Sequence, residues 1–403
     1  MSIIRNVTKQ AKKYLNDPEI LLFVGARQAG KTTILKQLQA ELEKKHKNIF
    51  FLNLEDPEYL ELLNKSPKNI FKIFTINLKE KNFIFIDEIQ YLKDPSNFLK
   101  YIFDEYADKI KMIVSGSSAF YIDKKFKDSL AGRKKIFYVS TLSFKEFLWF
   151  KNENDLSRKK FNKLTLAEKE KISNYYREFL IYGGYPRVVL KPMQEKEDTL
   201  REIAFSYIKK DIHEANIKQE DVFYKLFKIL ASQTGGLFNS LELSNTLRVS
   251  KTTIDNYIYT MKKSFHISSL NPFYKNARKE LTKMPKIYFN DLGLRNFFVN
   301  SFESFEKRDD KGALLENAVF IQFKEMFEKD KLKYWRTPQK NEVDFIVNQE
   351  KAFEVKASIG NFKKSKYKKF NELYNDIDLS IISIDKKNNK YLGYKVFDVW
   401  EIK

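Results

Sequence analysis

Residues 21–33, LLFVGARQAGKTT, determine the fold of the first part of the chain. The first four are apolar and predict a short buried strand. The next eight, from Gly25 to Thr32, fit the pattern G-x-x-x-x-G-K-[ST] without a mismatch. Beyond them, four apolar residues recur at helical spacing: Ile34, Leu35, Leu38 and Leu42. The pattern therefore lies between a strand and a helix, the setting that a phosphate-binding loop requires.

The residue types in this loop suit a triphosphate. Gly25 and Gly30 let the backbone N–H groups turn inward because they have no Cβ, and the following helix points its positive dipole end at the phosphates. Lys31 would reach the β- and γ-phosphates, and the Thr32 hydroxyl would bind Mg²⁺. We expect ATP to be held by Gly25, Ala26, Arg27, Gln28, Ala29, Gly30, Lys31, Thr32 and Thr33.

Two acids end a second apolar strand, expected at residues 83–86. Asp87 would bind Mg²⁺ through water and belongs to the nucleotide-binding set, and Glu88 would orient or deprotonate the attacking water. Adjacent acids at a buried strand end are unfavourable without a nearby cation. Strands alternating with helices predict an α/β fold with a parallel sheet, whose ligands bind at the carboxyl ends of the strands.

Two further residues are candidates for the same reaction. Ser117 follows a strand expected at residues 111–114 and would act as a sensor of the γ-phosphate, or it belongs only to a serine-rich turn. Arg133 precedes a strand expected at residues 135–139, where a neighbouring subunit could donate it in trans. The alternative is a surface arginine. A trans arginine requires a homo-oligomer, either a dimer or a ring.

Residues 221–290 predict a winged helix-turn-helix. Ser250 would cap its third helix, which carries the candidate DNA-reading residues Thr252, Thr253, Asn256, Tyr257 and Lys262. The expected wing is basic and contains Lys275, Arg278, Lys279 and Lys283. Such modules also serve as protein–protein spacers, so DNA contact and a structural role are both open.

The last hundred residues carry a second set of acids. Asp344 is expected on one strand of a hairpin and Glu354 with Lys356 on its partner, where residues two apart share a face. Glu316, on a helix expected at residues 312–327, would add a further acid. These residues predict a nuclease-like site with Asp344, Glu354 and Lys356 as catalytic groups. Glu316, Asp344 and Glu354 would bind Mg²⁺ or Mn²⁺ there. A degenerate site on the same fold is the alternative.

The composition indicates a partner and a compartment. The 403 residues include 74 Lys and Arg and 53 Asp and Glu, a net charge of +21, which favours a polyanion such as DNA. The alternative is a lysine-rich soluble surface. Cysteine is absent, which excludes disulfides and thiolate metal sites. With no apolar run of membrane-spanning length, we expect a cytoplasmic protein without a membrane segment.

Together these motifs resemble a family of prokaryotic P-loop ATPases that join an AAA-type core to a C-terminal domain of unknown function. They occur here in the family's order: GARQAGKTT, IFIDEIQ, SGSSA, SLAGR, LSFKEFL, GGYP, LENAVF and EVDFIV…FEVKAS. The resemblance implies ATP-site roles for Lys31, Thr32, Asp87, Glu88, Ser117 and Arg133. It also implies a restriction-endonuclease-like signature of Glu316, Asp344, Glu354 and Lys356.

We therefore expect four domains in an α/β chain: an AAA-type P-loop ATPase core at 1–140, a helical lid at 141–220, a winged helix at 221–300 and an α/β restriction-endonuclease-like domain at 301–403. Two functions fit this order. In the first, ATP hydrolysis moves or remodels DNA, as a helicase or translocase does, with metal-dependent nuclease activity as an addition. In the second, nucleotide state controls a protein partner and the nuclease-like domain only docks.

Overall fold

The computed structural model describes residues 3–117, 130–274 and 283–402. The chain divides into two units, the first formed by residues 1–141 with 260–265 and the second by residues 142–259 with 266–403. Within the described ranges, no helix has the length and apolar character needed to cross a membrane.

The first unit is a parallel sheet with helices around it. Its elements are α1 (Asn6–Lys12), β1 (Ile20–Gly25), α2 (Lys31–Leu42), β2 (Ile49–Asn53), α3 (Pro57–Lys65), α4 (Ile70–Ile73), β3 (Asn82–Asp87), α5 (Pro95–Tyr106), β4 (Ile110–Gly116) and β5 (Lys134–Val139). The strand order is β2-β3-β4-β1-β5, and all four pairings are parallel. This confirms the parallel α/β core that the sequence predicts.

Burial along the strands follows their place in the sheet. β1, β3 and β4 are inner strands and every residue in them is buried. β2 is an edge strand and only Leu52 in it is buried. Since β1 pairs with β4 and β4 pairs with β3, all parallel, the loop after β1 opens at the same edge of the sheet as the carboxyl ends of β3 and β4. The fold therefore brings the two sequence motifs of the nucleotide site together.

The second unit begins with helices. They are α6 (Phe144–Phe150), α7 (Asn154–Arg158), α8 (Leu166–Tyr182), α9 (Pro186–Val189) and α10 (Lys196–Glu214). The GGYP sequence ends α8 at a close approach. Gly183 has φ 71°, and a Cβ there would lie 2.3 Å from Asp291 Oδ1. The Gly184 N–H donates to Asp291 Oδ2 at 2.8 Å. Only glycine fits this turn, because any side chain at position 183 would collide with the carboxylate that holds it.

A winged-helix arrangement follows. It consists of α11 (Glu220–Ser232), α12 (Ser240–Leu247), α13 (Lys251–Lys263), β6 (Ile267–Leu270) and β7 (Lys286–Phe289), with β6 and β7 antiparallel. Ser250 Oγ accepts from the Thr253 N–H at 3.0 Å, as expected for the cap of α13. The predicted wing residues Lys275, Arg278 and Lys279 lie outside the described residues. Lys283 is described and exposed.

Tyr257, one of the residues predicted to read DNA, faces the protein interior. Tyr257 is 7% exposed, and its ring packs edge-on against Phe223 with centroids 5.2 Å apart. Tyr259 is 44% exposed instead. The exposed face of α13 carries Lys251, Thr252, Asp255, Asn256 and Tyr259. Because a helix turns 100° per residue, two tyrosines two positions apart lie on nearly opposite faces.

A mixed six-stranded sheet completes the second unit. Its elements are α14 (Leu292–Val299), α15 (Lys311–Met326), β8 (Leu332–Arg336), β9 (Glu342–Val347), β10 (Lys351–Lys356), α16 (Lys368–Leu373), β11 (Asp378–Ser383), β12 (Lys390–Tyr391) and β13 (Tyr394–Asp398). The strand order is β12-β13-β11-β10-β9-β8. β9 and β10 are antiparallel with Phe345 opposite Phe353, which confirms the predicted hairpin. Apolar residues of α15 pack on this sheet in one hydrophobic core.

Candidate nucleotide site and a second carboxylate centre

The phosphate-binding loop leaves no room for a side chain at its first glycine. A Cβ on Gly25 would lie 1.9 Å from the carbonyl oxygen of Val139 on the neighbouring strand. Gly30 caps α2 with φ 97°, a conformation that favours glycine. Lys31 is buried, and its Nζ donates to the carbonyls of Gly25 at 3.0 Å and Ala26 at 2.9 Å. Two backbone carbonyls of the loop thus hold the ammonium group of Lys31.

Arg5 also holds this loop, and sequence reasoning missed it. Its buried guanidinium donates to the Ala29 carbonyl at 2.8 Å, to Ser140 O at 2.9 Å and to Thr141 O at 3.2 Å. One side chain from the segment before α1 therefore joins the loop to the residues after β5. An arginine before a short helix gives no local signal of this role.

Asp87 accepts hydrogen bonds from two hydroxyl groups, one in the phosphate-binding loop and one on β4. Thr32 Oγ1 donates to Asp87 Oδ2 at 2.6 Å, and Ser115 Oγ donates to Asp87 Oδ1. The Thr32 and Asp87 oxygens that were predicted to bind Mg²⁺ are therefore in contact. Oxygen ligands of this kind fit Mg²⁺, which usually takes one or two protein ligands and completes its shell with phosphates and waters.

Glu88 lies at the end of β3 in the left-handed conformation, with φ 58°. Its Oε2 accepts from Ser117 Oγ at 2.9 Å and from Gln90 Nε2. Gln90 Nε2 also donates to Ser117 Oγ at 2.8 Å, and Gln90 Oε1 accepts from the Ser117 N–H at 3.2 Å. The structure thus brings the predicted catalytic acid and the predicted sensor together through Gln90. Gln90 was not predicted, although a buried glutamine just after two acids was a usable signal.

Electrostatics keep Glu88 ionised. Burial by itself raises the pKa of Glu88, but the charge of Lys31 and the hydrogen bonds from Gln90 and Ser117 hold that pKa below its ordinary value. A carboxylate in this state accepts a hydrogen bond from water and can orient it.

Arg133 lies far from the phosphate loop of its own chain. Its backbone carbonyl accepts from the Ile20 N–H at the amino end of β1, whereas the loop begins after Gly25. Five residues of strand separate these ends, roughly 17 Å. The guanidinium Nε instead contacts Asp104 Oδ1 at 2.6 Å. Arg133 is therefore not part of the site in cis, and its role in trans stays a prediction.

The acids of the C-terminal sheet are buried side by side. Asp344 Oδ2 accepts from the Val355 N–H across the hairpin at 2.9 Å. Lys356 Nζ donates to Glu354 Oε1 on the same strand. Burial and the neighbouring Asp344 raise the pKa of Glu354 to about 8, and the same two causes raise the pKa of Glu316 to about 7. A cleft of about 690 Å³ opens beside Glu316, Asp344 and Lys356.

Lys286 on β7 enters this group, and sequence reasoning missed it. Its Nζ lies 2.9 Å from Glu316 Oε1, 2.5 Å from Glu342 Oε1 and 3.8 Å from Asp344 Oδ1. Burial by itself lowers the pKa of Lys286, but these acids, Glu316 above all, raise it well above its ordinary value. The available signal was a lysine at the start of the otherwise largely apolar strand KIYF.

This lysine bears on the predicted metal site, which stays a prediction. Glu316, Asp344 and Glu354 were expected to converge on Mg²⁺ or Mn²⁺, yet among the described residues no group of three or more His, Asp and Glu is arranged to hold a metal ion. Lys286 lies against Glu316 and near Asp344, while Lys356 pairs with Glu354. The structure places the predicted residues near one another but supplies their positive charge from lysine.

Comparison with known proteins agrees with this architecture. The profile of the family described as "AAA domain" matches residues 17–148, and two profiles described as domains of unknown function, DUF8612 and DUF4143, match residues 173–304 and 311–402. An uncharacterized protein of Methanocaldococcus jannaschii is 29% identical over 360 residues, 85% of this chain and 76% of the relative. One of Haemophilus influenzae is 27% identical over 327 residues, 79% of this chain and 77% of the relative.

Solved structures give weaker likenesses. AMPPCP-bound DnaA from Aquifex aeolicus is 15% identical with a TM-score of 0.31, covering 65% of this chain and 89% of that one. The Aeropyrum pernix ORC1 protein in complex with DNA is 10% identical with a TM-score of 0.32, covering 75% and 94%. Scores this low carry no argument about function.

The sheet order, the phosphate loop and the acids at the end of β3 define a P-loop nucleotide-binding protein. The match at residues 17–148 supports a P-loop AAA-type ATPase core, which is followed in this chain by two domains of unknown function, and the similar proteins include archaeal and bacterial ones.

Proposed function

We propose that this chain hydrolyses ATP and uses the turnover to move or remodel DNA. The observation that carries the enzymatic part is the arrangement at the ends of β3 and β4. Thr32 contacts Asp87 at 2.6 Å, and Ser117 contacts Glu88 at 2.9 Å. Two adjacent acids thus have separate partners, one set suited to a metal and the other to a water molecule.

Each group has a step in the proposed reaction. The backbone N–H groups of the loop and Lys31 bind the phosphates. Thr32 and Asp87 would hold Mg²⁺, which neutralises charge that develops on the β- and γ-phosphates. Glu88 orients the water that attacks the γ-phosphate, while Ser117 and Gln90 fix the carboxylate. Hydrolysis breaks the bond between the γ-phosphorus and the bridging oxygen, giving ADP and phosphate.

The DNA part of the proposal is supported by charge and by α13. The chain carries a net charge of +21. The exposed face of α13 presents Lys251, Thr252, Asn256 and Tyr259 together with one acid, Asp255, and Arg248 is exposed just before the helix. Cationic, amide, hydroxyl and aromatic groups on one exposed helix are suited to phosphate and base contacts.

ATPase rates with single-stranded, duplex and branched DNA test this coupling. We expect stimulation that weakens steeply with salt, since phosphate contacts release counterions. The double variant Arg248→Glu, Lys251→Glu should lose the stimulation. The matched control, Lys45→Glu with Lys79→Glu, reverses two exposed charges elsewhere and should keep it. A rate that no form of DNA changes would overturn the coupling and leave the ATPase assignment standing.

A second candidate is a nucleotide-dependent switch whose C-terminal domain docks a protein partner. Lys286 favours it for that domain, because an ammonium group among Glu316, Glu342 and Asp344 opposes metal-dependent cleavage of DNA. The DNA-stimulation assay separates the two candidates. Nicking of supercoiled DNA that requires Mn²⁺ and is lost in Asp344→Ala would restore the nuclease hypothesis.

A further inference from the structure

We infer that Lys286 is the built-in cation of the C-terminal carboxylate centre and keeps divalent metal out of it, and that Glu316 and Asp344 bind a hard divalent cation once this ammonium group is removed. The inference deepens the docking candidate described above. It concerns residues of the second unit alone and does not depend on ATP hydrolysis.

The geometry of the ammonium group is that of a shared counter-ion. Lys286 Nζ contacts Glu316 Oε1 at 2.9 Å and Glu342 Oε1 at 2.5 Å, with Asp344 Oδ1 at 3.8 Å. The three acids come from α15 and β9 and face the lysine from two elements. A divalent ion bound by the same oxygens would lie close to this positive charge, in a buried region where like charges repel strongly.

The lysine is held firmly in this position. Its side chain is 1% exposed, and its backbone pairs with Leu270 in the ladder of β6 and β7. Tyr288, two residues further on the same strand, donates its hydroxyl to the same Glu316 Oε1 at 2.5 Å. A metal ion would have to displace two donors that one paired strand holds in place, so the ammonium group cannot simply move into solvent.

Donors from the chain also contact the other two acids that were predicted to bind the metal, Glu354 and Asp344. Lys356 Nζ donates to Glu354 Oε1, so the remaining predicted ligand has its own ammonium partner. Asp344 Oδ2 accepts from the Val355 N–H at 2.9 Å. Glu316, Asp344 and Glu354 each accept from at least one donor of the chain, although Oε2 of Glu354 is buried without a hydrogen-bond partner among the described residues. Replacing Lys286 by an apolar residue leaves Glu316 and Asp344 without this cation, while Glu342 keeps its ion pair with Arg336 at 2.5 Å. The freed carboxyl groups must then bind a proton or a metal ion, and we predict that they take up a divalent metal ion when one is supplied.

Mn²⁺ binding to the full chain tests the inference, measured by titration calorimetry without nucleotide. Wild type and Asp344→Asn should bind Mn²⁺ alike, because the centre takes none. Lys286→Met should bind about one further Mn²⁺ per chain, and the double variant Lys286→Met, Asp344→Asn should lose it. Lys286→Arg, which keeps the charge, should gain none. A wild type whose Mn²⁺ binding falls in Asp344→Asn would overturn the inference without any variant of Lys286.

Thermal unfolding supplies a second measurement and a matched control. Lys286→Met should unfold at lower temperature than wild type, and Mn²⁺ should raise its transition by mass action. Lys111 is equally buried, but its Nζ donates to the carbonyls of Tyr14, Asp17 and Glu19. Lys111→Met should therefore be destabilised without rescue by Mn²⁺. Equal responses of the two variants, or a folded Lys286→Met that gains no Mn²⁺, would refute the inference.

Discussion

The two carboxylate sites of this chain differ in what faces their acids. In the nucleotide site, Asp87 is met by the hydroxyls of Thr32 and Ser115, which are neutral donors. In the C-terminal centre, Glu316 and Glu354 are met by the ammonium groups of Lys286 and Lys356. A neutral donor leaves the negative charge available to a cation, whereas an ammonium group cancels it. From these partners we expect a metal ion to bind beside Asp87 and not beside Glu316 and Glu354.

We predict that Arg133 of a neighbouring subunit completes the nucleotide site, whereas one chain supplies all the residues described for the C-terminal centre. Arg133→Ala should leave ATP affinity nearly intact and lower kcat by about 10³- to 10⁵-fold, the range for an arginine finger. ATPase kinetics measure this. Asp104→Asn frees Arg133 from its ion pair and is the control, with little loss expected. Mixing Arg133→Ala with Lys31→Ala protein should restore some turnover. No rescue and a monomeric mass in ATP would rule out the trans role.

Glu88→Gln should separate binding from hydrolysis within the nucleotide site. The change keeps the shape of the side chain and removes the charge that positions water, so kcat should fall by about 10²- to 10⁴-fold with ATP still bound. Equilibrium nucleotide binding and single-turnover hydrolysis measure the two effects. Hydrolysis at the parental rate would mean that another residue orients the water.

Lys286→Met should destabilise the second unit by about 3–5 kcal/mol, because it leaves buried acids without their counter-ion. Denaturant unfolding followed by tryptophan fluorescence measures this, since all three tryptophans lie outside the first unit. Lys356→Met, at a more exposed ammonium group that faces fewer acids, should cost less. Small and equal losses of unfolding free energy in both variants would contradict the role of Lys286 as a counter-ion, on which the difference between the nucleotide site and the C-terminal centre depends.

Gln90→Leu should have the mildest effect. It removes the amide that joins Glu88 to Ser117, a loss of about 1.5 kcal/mol and so roughly tenfold in kcat. The KM for ATP should hardly change, because Gln90 acts through Glu88 and not on the phosphates. Gln90→Glu, similar in shape but negatively charged, should be worse than Leu. A change confined to KM would show that Gln90 supports the loop and not the acid.

The sequence predicted which residues lie together at the candidate nucleotide site because that information is local. The residues from Gly25 to Thr32 are consecutive, and Asp87 with Glu88 ends a strand whose apolar run is unmistakable. Parallel strands then bring these ends together without further information. The C-terminal hairpin was predicted for the same reason, since Asp344 and Glu354 belong to neighbouring strands.

What the sequence missed depends on contacts between distant segments. Lys286 is one of many lysines, and only folding brings it to Glu316 and Glu342. Tyr257 and Tyr259 look alike in sequence, and their faces depend on where α13 packs. Backbone carbonyls accept the hydrogen bonds of Arg5, and no residue type marks them.

Arg5 has a consequence for which substitutions the chain tolerates. Its guanidinium donates to three carbonyls on two separated segments, at Ala29, Ser140 and Thr141. Lysine would keep the charge, but one ammonium group on a flexible stem cannot reproduce that planar spread of donors. A change that most substitution tables score as mild is therefore severe at position 5, and it would loosen the nucleotide loop without altering any residue that touches ATP.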